Sequence, residues 1–545
     1  MSAKTTKGKN SKNWRVNSLL AFIFLLAGLV FGRLFYVSYI QHDSLSQTAQ
    51  GQYDRKQESQ INRGDIFTKG FVGDQSIVAT KDKFPYVYLI PEKSKNPEST
   101  ATILSELFPS YSRESLVQML SKEGDPFELL MKKVSPDIVK KIEEINLTDV
   151  KIGYESGRSY PQKDNLAYIS GFMGYKDGEK SGQYGVEGYY EDTLNEEANL
   201  VLTIDLTIQS ALEAELNLLI KKWEADSGSI IVQDPNSGAI VGIVSSPSYD
   251  PNNYSEYSLS RFVNPSTQDS FEPGSTMKTI TMAAGLDMGK VNPGTKYEDM
   301  GFIKFGNYTI RNYDEKVHGL NTMSQVLEKS LNTGAIFVQK LIGGEAFLNY
   351  LENFGFGKKT GVDLAGEAVG NISNLRTGRD INFATASFGQ GLSVTQLQLI
   401  SAYSAVANGG KLMKPYVVDE IIYPNNHREK TKSKIISVPI SEKTSAQLKA
   451  MLTGVVDNGF GKAAVKGYDV AAKSGTAQVA EAGGYSERFI HDMVGFAPSF
   501  SPKFTILIKI DNPKGAKFAS DTLSASFGNL SKFLLNYYSI PPTRE

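Results

Sequence analysis

The hydrophobic pattern begins with a long apolar stretch near the N-terminus, from Val16 to Ile40. About 20 apolar residues suffice for a helix to cross a bilayer. No small-residue cleavage site follows the stretch, so the pattern predicts a retained transmembrane helix over residues 16–40 and not a cleaved signal peptide. Residues 1–15 carry lysine and arginine but no acidic residue, which predicts a cytoplasmic tail, with the chain after residue 41 outside.

The next region, residues 41–195, has short and mixed signals. Pro85–Ile90 has the composition of a strand, and helical spacing follows at Ala101–Leu107, Arg113–Leu120 and Pro136–Glu144. The region contains no motif that carries chemistry. It is therefore predicted to be an elongated mixed pedestal domain that serves interaction or dimerisation.

Residues 196–545 have the clearest periodicity. Ile208, Leu212, Leu216 and Leu219 form one stripe on a helix from Thr207 to about Glu224. Two apolar runs then flank a turn within Ser229–Val244, a hairpin signal. Helical patterns dominate from Thr276 to about Asn408. The last predicted elements are strands at Asp469–Val479, Met493–Ala497 and Phe504–Asp511 and a helix at Ser526–Tyr538. Strands at both ends of a helical middle predict an α+β fold with an antiparallel sheet.

Composition removes several classes of function. The chain has 545 residues and a net charge of −1, so its overall charge gives no argument for nucleic-acid binding. It has no cysteine and only four histidines, none at metal-ligand spacing. Disulfides, thiolate catalysis and cysteine metal sites are excluded, and no metal site is predicted.

One stretch combines a nucleophile with a base. Ser275 and Lys278 are three residues apart where an apolar helix begins, directly after Pro273 and Gly274. Side chains at i and i+3 lie on one face of a helix, so the lysine amine can reach the serine hydroxyl. The partial positive charge at a helix N-terminus favours a developing alkoxide. The pair predicts a serine that is activated without histidine.

Two shorter motifs fit this pair. Ser330 and Asn332 form a Ser-x-Asn about 55 residues further on, and Lys473-Ser-Gly-Thr476 lies in a run that alternates like a strand. A hydroxyl can pass a proton, an amide can orient a peptide bond, and a lysine with hydroxyls can hold a carboxylate. Gly475 lets a ligand approach the backbone closely. Both motifs recur elsewhere in the chain, so their order and setting carry the prediction.

These three motifs resemble the set found in penicillin-binding proteins. The chain resembles in particular the class B monofunctional transpeptidases of cell-wall synthesis. The resemblance runs nearly end to end through Arg63-Gly-Asp-Ile66, Arg158-Ser-Tyr-Pro161, Gly185-Val-Glu-Gly188, Leu202-Thr-Ile-Asp205, Phe388-Gly-Gln-Gly-Leu-Ser-Val-Thr395 and Gly495-Phe-Ala-Pro498. It implies the serine penicillin-recognising transpeptidase fold for residues 196–545.

The resemblance also implies roles for individual residues. Ser275 would be the acylated nucleophile, Lys278 its general base and Ser330 the proton relay to the leaving group. Asn332 would hold the acyl-donor peptide, and its terminal carboxylate would be bound by Lys473, Ser474 and Thr476. The backbone N–H groups of Ser275 and Thr476 would form the oxyanion hole, where one donor is typically worth about 10²–10³ in rate.

The implied activity is that of a D,D-transpeptidase in the plasma (inner) membrane. It would cross-link peptidoglycan stem peptides that end in D-Ala-D-Ala, would be acylated by β-lactams and would need no cofactor. A glycosyltransferase and division or elongation proteins are the implied partners. The pattern near Arg158–Leu194 and the Lys-Ser-Gly triplet resemble the septal branch more than the elongation branch.

Two alternatives stay open from the residues alone. The first is hydrolysis, as in a D,D-carboxypeptidase or a β-lactamase-like hydrolase or sensor, which uses water as the acceptor. Turnover of a β-lactam instead of a lasting adduct would distinguish it. The second is a non-catalytic cell-wall scaffold, and a Ser275→Ala chain that fully restores growth would favour it.

Overall fold

A computed structural model describes residues 13–35, 62–70, 73–481 and 484–545 of the chain. Contacts divide the chain into two units, one with residues 1–61 and 82–157 and the other with residues 62–81 and 158–545. The predicted cytoplasmic tail is described only from Asn13. The last five residues of the predicted membrane helix, 36–40, lie outside the described residues.

Helices and strands are numbered here in chain order. The helices are α1 Asn13–Phe35, α2 Pro97–Leu107, α3 Arg113–Leu120, α4 Pro136–Ile145, α5 Ala167–Ser170, α6 Gly185–Tyr189, α7 Glu191–Asn195, α8 Leu206–Trp223, α9 Met277–Asp287, α10 Met323–Glu328, α11 Asn332–Ile342, α12 Gly344–Asn353, α13 Asp380–Ala386, α14 Gln396–Ala407, α15 Glu442–Gly459 and α16 Ala519–Tyr537. The strands are β1 Ile66–Lys69, β2 Gln75–Leu89, β3 Glu128–Met131, β4 Val150–Ser159, β5 Phe172–Lys176, β6 Glu179–Gln183, β7 Asn199–Leu202, β8 Ser227–Gln233, β9 Ile240–Ser246, β10 Lys296–Asp299, β11 Phe302–Phe305, β12 Tyr308–Arg311, β13 Gly319–Thr322, β14 Leu412–Met413, β15 Val418–Ile422, β16 Arg428–Lys430, β17 Ile435–Ser437, β18 Ala471–Glu481, β19 Gly484–Ala497 and β20 Phe504–Asp511.

Helix α1 covers most of the predicted membrane helix and exposes large apolar side chains, among them Phe24, which is 73% exposed. Among the helices of the described residues, none is both long and apolar enough to cross a membrane.

The smaller unit packs three helices around its own core. This core includes buried side chains of α2, α3 and β3 and of the residue that follows α2: Leu104, Leu116, Leu130 and Phe108. The Ser112 side chain accepts a hydrogen bond from the Ser115 backbone N–H at 3.2 Å and so caps α3. The three predicted helices of this region are confirmed. The predicted strand at residues 85–90 is the C-terminal part of β2.

The larger unit is built on a five-stranded sheet with the order β18-β19-β20-β8-β9, in which every neighbouring pair is antiparallel. Side chains of its strands alternate between two cores, as the pleat requires. Ile506 and Ile508 enter the core shared with α8 and α16, whereas Leu507 enters the core shared with α9 and α14. The predicted α+β fold with an antiparallel sheet drawn from both ends is therefore confirmed.

Helix α14 runs through the second core, and all of its residues are buried. The Thr395 side chain and the Gln398 side chain form a capping box at its N-terminus. The helix contacts β8, β19 and β20 and thus supports the centre of the sheet. It also supports the start of α9, because the Tyr403 hydroxyl donates a hydrogen bond to the Thr276 carbonyl oxygen at 2.8 Å.

Two predicted element boundaries and the predicted element type of one region were wrong. Strand β19 begins at Gly484 and not at Met493, because its polar first half gives no apolar signal. Helix α16 begins at Ala519, seven residues before the predicted start. The stretch from Lys296 to Thr322 forms four short strands in two separate antiparallel pairs, within a region predicted to be mainly helical. These strands have exposed outer faces. The alternation of apolar and polar residues therefore does not distinguish them from the exposed face of a helix.

A buried ionic cluster joins residues near position 63 to residues 158–191 within the larger unit. The Arg63 and Arg158 guanidinium groups each donate to a different oxygen of the Glu187 carboxylate, at 2.6 and 2.8 Å. All three side chains are almost fully buried. By contacts, residues 158–195 group with residues 196–545. The predicted domain boundary at residue 195 stays a prediction.

Candidate active site

Ser275 lies in a turn that leads directly into α9. Gly274–Thr276 form one turn of 3-10 helix, and α9 continues from Met277. Gly274 and Thr276 are buried while Ser275 is partly exposed and lines a cleft of about 610 Å³. Gly274 has a φ of +56°, and a Cβ there would lie 2.8 Å from the Thr476 carbonyl oxygen. The serine turn therefore packs directly against β18, which requires glycine at this position.

The Ser330 hydroxyl connects the three sequence motifs. The Lys278 Nζ donates to the Ser330 carbonyl oxygen at 2.5 Å and lies 3.2 Å from the Ser330 Oγ. The Lys473 Nζ lies 3.0 Å from the same Oγ. Two amines that are 195 residues apart in sequence thus meet at one hydroxyl. Both lysine side chains are buried.

Burial sets the charges of these lysines. It lowers the pKa of Lys278 well below its usual value, and the charge of Lys473 lowers it further. Burial also lowers the pKa of Lys473, to about 8, while the nearby Asp492 carboxylate opposes that shift. Lys278 is therefore suited to accept a proton near neutral pH, and Lys473 is suited to remain cationic there.

The Ser-x-Asn motif lies between two helices. Ser330 has a φ of +54° after the end of α10, and α11 begins at Asn332. The Asn332 Nδ2 donates to the Arg311 carbonyl oxygen at 2.9 Å, which fixes the amide at the edge of the cleft. This contact depends on β12, one of the strands that the sequence did not predict.

Strand β18 directs its motif to both faces of the sheet. Ser474 and Thr476 line the cleft, and Lys473 and Gly475 are buried behind them. A Cβ on Gly475 would lie 2.3 Å from both the Pro273 carbonyl oxygen and an Asp492 carboxylate oxygen. Only glycine fits this contact. The Thr476 Oγ1 accepts a hydrogen bond from the Ala519 backbone N–H at 2.9 Å, which ties β18 to α16.

Asp492 is a site residue that the sequence did not indicate. Asp492 is on β19, where it pairs with Gly475 of β18 on one side and with Lys509 of β20 on the other. Its side chain is fully buried. Burial raises the pKa of its carboxyl group to about 8, and the charges of Lys473 and Lys509 oppose the shift. The only sequence signal is an acidic residue directly before the apolar run Met493–Ala497.

The cleft has an aromatic wall as well as polar groups. Tyr313 and Phe518 meet edge to face with ring centroids 5.4 Å apart. The other aromatic side chains that line the cleft are Phe388, Phe460 and Phe489. Such a wall with a few convergent polar groups is typical of a site for a small organic or peptide ligand.

All eight predicted site residues are located around this cleft: Ser275, Ser330, Asn332, Ser474 and Thr476 line it, and Lys278, Lys473 and Gly475 lie buried beside it. The roles assigned to them stay predictions. No group of three or more His, Cys, Asp or Glu side chains in the described part of the chain is placed to hold a metal ion.

Two family models match the chain. Residues 228–531 match the penicillin-binding protein transpeptidase domain, and residues 58–201 match the penicillin-binding protein dimerisation domain. The first match includes all eight predicted site residues.

Similar proteins were found among both curated sequences and solved structures. Stage V sporulation protein D of Bacillus subtilis is 31% identical, over 98% of this chain and 88% of that protein. Peptidoglycan D,D-transpeptidase FtsI of Escherichia coli is 27% identical, over 99% of this chain and 95% of that protein. The crystal structure of penicillin binding protein 3 from Mycobacterium tuberculosis, complexed with aztreonam, superposes with a TM-score of 0.66 at 27% identity, over 71% of this chain and 92% of that chain.

Proposed function

The chain belongs to the penicillin-binding transpeptidase family, and we propose that it is a membrane-anchored peptidoglycan D,D-transpeptidase that cross-links stem peptides through an acyl-serine intermediate. The observation that carries the proposal is the Ser330 hydroxyl, which lies within hydrogen-bonding distance of both Lys278 and Lys473 beside the cleft that Ser275 lines.

In the first step the Ser275 Oγ attacks the carbonyl carbon of the D-Ala-D-Ala peptide bond. The hydroxyl proton passes to the Lys278 Nζ, since burial lowers the pKa of this amine well below its usual value. The backbone N–H groups of Ser275 and Thr476 stabilise the oxyanion. Their proximity is supported by Gly274, where an added Cβ would lie 3.3 Å from the Thr476 nitrogen.

The other cleft residues hold the donor and release D-alanine. The terminal carboxylate of the donor is bound by the Lys473 ammonium and the hydroxyls of Ser474 and Thr476. The Asn332 amide, held by the Arg311 carbonyl, holds the donor peptide. The proton on Lys278 passes through the Ser330 Oγ to the leaving nitrogen as the C–N bond breaks. The acyl group then stays on Ser275.

In the second step an amine of a neighbouring stem peptide attacks the acyl carbon. The new C–N bond forms, the amine proton returns to Lys278 through Ser330, and the Ser275 oxygen leaves and is reprotonated by Lys278. A β-lactam enters the same first step as the donor. Because its leaving nitrogen stays tethered to the acyl group, the adduct is long-lived.

Membrane anchoring is part of the proposal. In this proposal the apolar sequence of residues 16–40 anchors the chain in the membrane, with the basic residues 1–15 in the cytoplasm and the catalytic domain, residues 196–545, outside. The exposed apolar side chains of α1 support this assignment. The proposal also assigns residues 41–195, the predicted pedestal, to contacts with a glycosyltransferase and with septal rather than elongation proteins.

The experiment that tests the function uses the full chain in detergent. A stem pentapeptide that ends in D-Ala-D-Ala is incubated with an amine acceptor, and the products are separated by mass spectrometry. We expect D-alanine release and a cross-linked product, both absent in Ser275→Ala. Release of D-alanine with only hydrolysed tetrapeptide would instead support the carboxypeptidase alternative. Full restoration of growth by Ser275→Ala in depleted cells would support the scaffold.

A further inference from the structure

The charged groups around the cleft are mostly lysines. Lys329 and Lys517 line it, and Lys278 and Lys473 are buried beside it. Among the described residues that line the cleft, Glu328 is the one carboxylate. Glu328 therefore supplies the negative charge in this lining that a positively charged ligand would meet.

Glu328 has no cation of its own in the described part of the chain. Its Oε1 accepts a single hydrogen bond, from the Asn458 Nδ2 at 3.1 Å. The adjacent Lys329 donates instead to the Asn321 Oδ1, at 2.7 Å. Glu328 is partly exposed to the cleft. A carboxylate can accept about four hydrogen bonds, so this one has both charge and hydrogen-bonding capacity left for a ligand.

The position of Glu328 relates it to the proton relay. It is the last residue of α10, and Ser330 follows two residues later in the tight turn before α11. Asn458 belongs to α15, and Phe460, which follows this helix, lines the cleft. Glu328 and Ser330 therefore line the same end of the cleft.

The chemistry of the second half-reaction brings an amine to this end. In the first half-reaction the leaving nitrogen takes its proton from the Ser330 Oγ. The acceptor nitrogen must give up a proton by the reverse route, so it occupies the same place. At neutral pH a primary amine arrives as an ammonium. The positive charge of Lys473 repels it, and a carboxylate that lines the cleft offsets this repulsion.

We propose that Glu328 forms the acceptor subsite and binds the ammonium group of the stem peptide whose amine attacks the acyl-serine. The inference rests on the transpeptidase function proposed above. The bound ammonium loses one proton to water, and the neutral amine then attacks the acyl carbon. A second proton leaves the nitrogen through Ser330 as the ester bond to Ser275 breaks. Water, the competing acceptor, carries no charge and makes no use of Glu328.

This difference between amine and water gives the test. One acyl donor is supplied with a lysine-bearing stem peptide at fixed concentration, and the ratio of cross-linked to hydrolysed product is measured for the full chain. We expect Glu328→Gln to lower the ratio about tenfold, through a higher KM for the amine, since bonds between charged partners are the stronger ones. Hydrolysis and the rate of labelling by a fluorescent penicillin should stay at the wild-type level.

The matched control is Glu345→Gln, which removes an exposed carboxylate in the first turn of α12. We expect it to leave the product ratio unchanged. An unchanged ratio in Glu328→Gln overturns the proposal. An equal loss of both products together with slower penicillin labelling also overturns it, because Glu328 is then structural. If the wild-type chain neither takes the label nor forms either product, the proposed function itself has failed.

Discussion

At the scale of single residues, the site depends on lysines whose charge is set by burial. Lys278 must be neutral to accept the serine proton, and Lys473 must be charged to bind a carboxylate. Burial lowers the pKa of both, and Asp492 opposes the shift only for Lys473. Because burial also raises the pKa of Asp492 to about 8, its opposing effect on Lys473 grows as the carboxyl group ionises near that pH.

This assignment predicts the pH dependence of acylation. The rate of fluorescent-penicillin labelling should fall at low pH, as Lys278 is protonated, and should fall again above about 8, where Lys473 loses its charge. Replacing Lys278 with alanine should lower the rate by about 10²–10⁴ at neutral pH. A rate that stays constant from pH 5 to 10 in the wild-type chain would contradict the roles of both lysines.

Asp492→Asn should move the alkaline limb of that profile to lower pH. The variant removes the negative charge that raises the pKa of Lys473, so labelling at pH 8 should suffer more than labelling at pH 6. Asp363→Asn is the control, because it alters a second buried carboxyl group that accepts from the Val417 and Val418 backbone N–H groups. It should lower the unfolding temperature without moving the limb. A uniform loss at every pH in Asp492→Asn would count against this role.

At the scale of elements, the site depends on close packing between the serine turn, β18 and α14. Gly475→Ala introduces a Cβ that would lie 2.3 Å from the Pro273 carbonyl oxygen. Overpacking of this kind costs about 1–3 kcal/mol of unfolding free energy, and the displaced turn should slow penicillin labelling strongly. Gly461→Ala, where a Cβ would meet nothing within 4 Å, should change neither quantity. Equal behaviour of the two variants would refute the packing argument.

Helix α14 contributes a second constraint on the serine turn. Tyr403→Phe removes the hydroxyl that donates to the Thr276 carbonyl oxygen at 2.8 Å. We expect the unfolding free energy to fall by about 1 kcal/mol, as for a typical buried hydrogen bond, and labelling to slow because the turn is less well fixed. Chemical denaturation and labelling rates measure the two effects. Faster labelling in the variant would contradict a supporting role for this bond.

The elements also show what the sequence could predict. Strand β20 was predicted with its observed bounds, and α8 to within one residue at each end, because both are strongly apolar on their buried faces. The first half of β19 and the strands between Lys296 and Thr322 were missed, since their side chains are largely polar or exposed. The periodicity of apolar residues reflects which positions are buried. It is therefore weak in an element that buries few side chains.

The active-site residues also divide into those that the sequence predicted and those that it missed. The residues of the three motifs were predicted because each motif has a short, fixed spacing along the chain. Asp492, Arg311 and Glu328 were missed because their relation to the site exists only after distant elements pack together. Asp492 meets Lys473 through neighbouring strands, and Arg311 meets Asn332 through a hairpin. No spacing along the chain encodes these contacts.

At the scale of the whole molecule, stability of the larger unit relies on the buried cluster of Arg63, Arg158 and Glu187. Glu187→Ala leaves two buried guanidinium groups without their shared carboxylate. Breaking a buried ion pair in this way costs about 3–5 kcal/mol. We expect a markedly lower unfolding temperature by calorimetry, with Ser275 still labelled below it. An unchanged unfolding temperature would show that the cluster does not stabilise the fold.

The proposed mechanism requires that Ser275 is the residue that is acylated. The most direct measurement is incubation of the full chain with a penicillin, digestion with trypsin and fragmentation of the peptide Phe262–Lys278, which also contains Ser266 and Ser270. We expect one penicilloyl group per chain, on Ser275, and none on the Ser275→Ala variant. An adduct on another residue, or equal labelling of Ser275→Ala, would contradict the account.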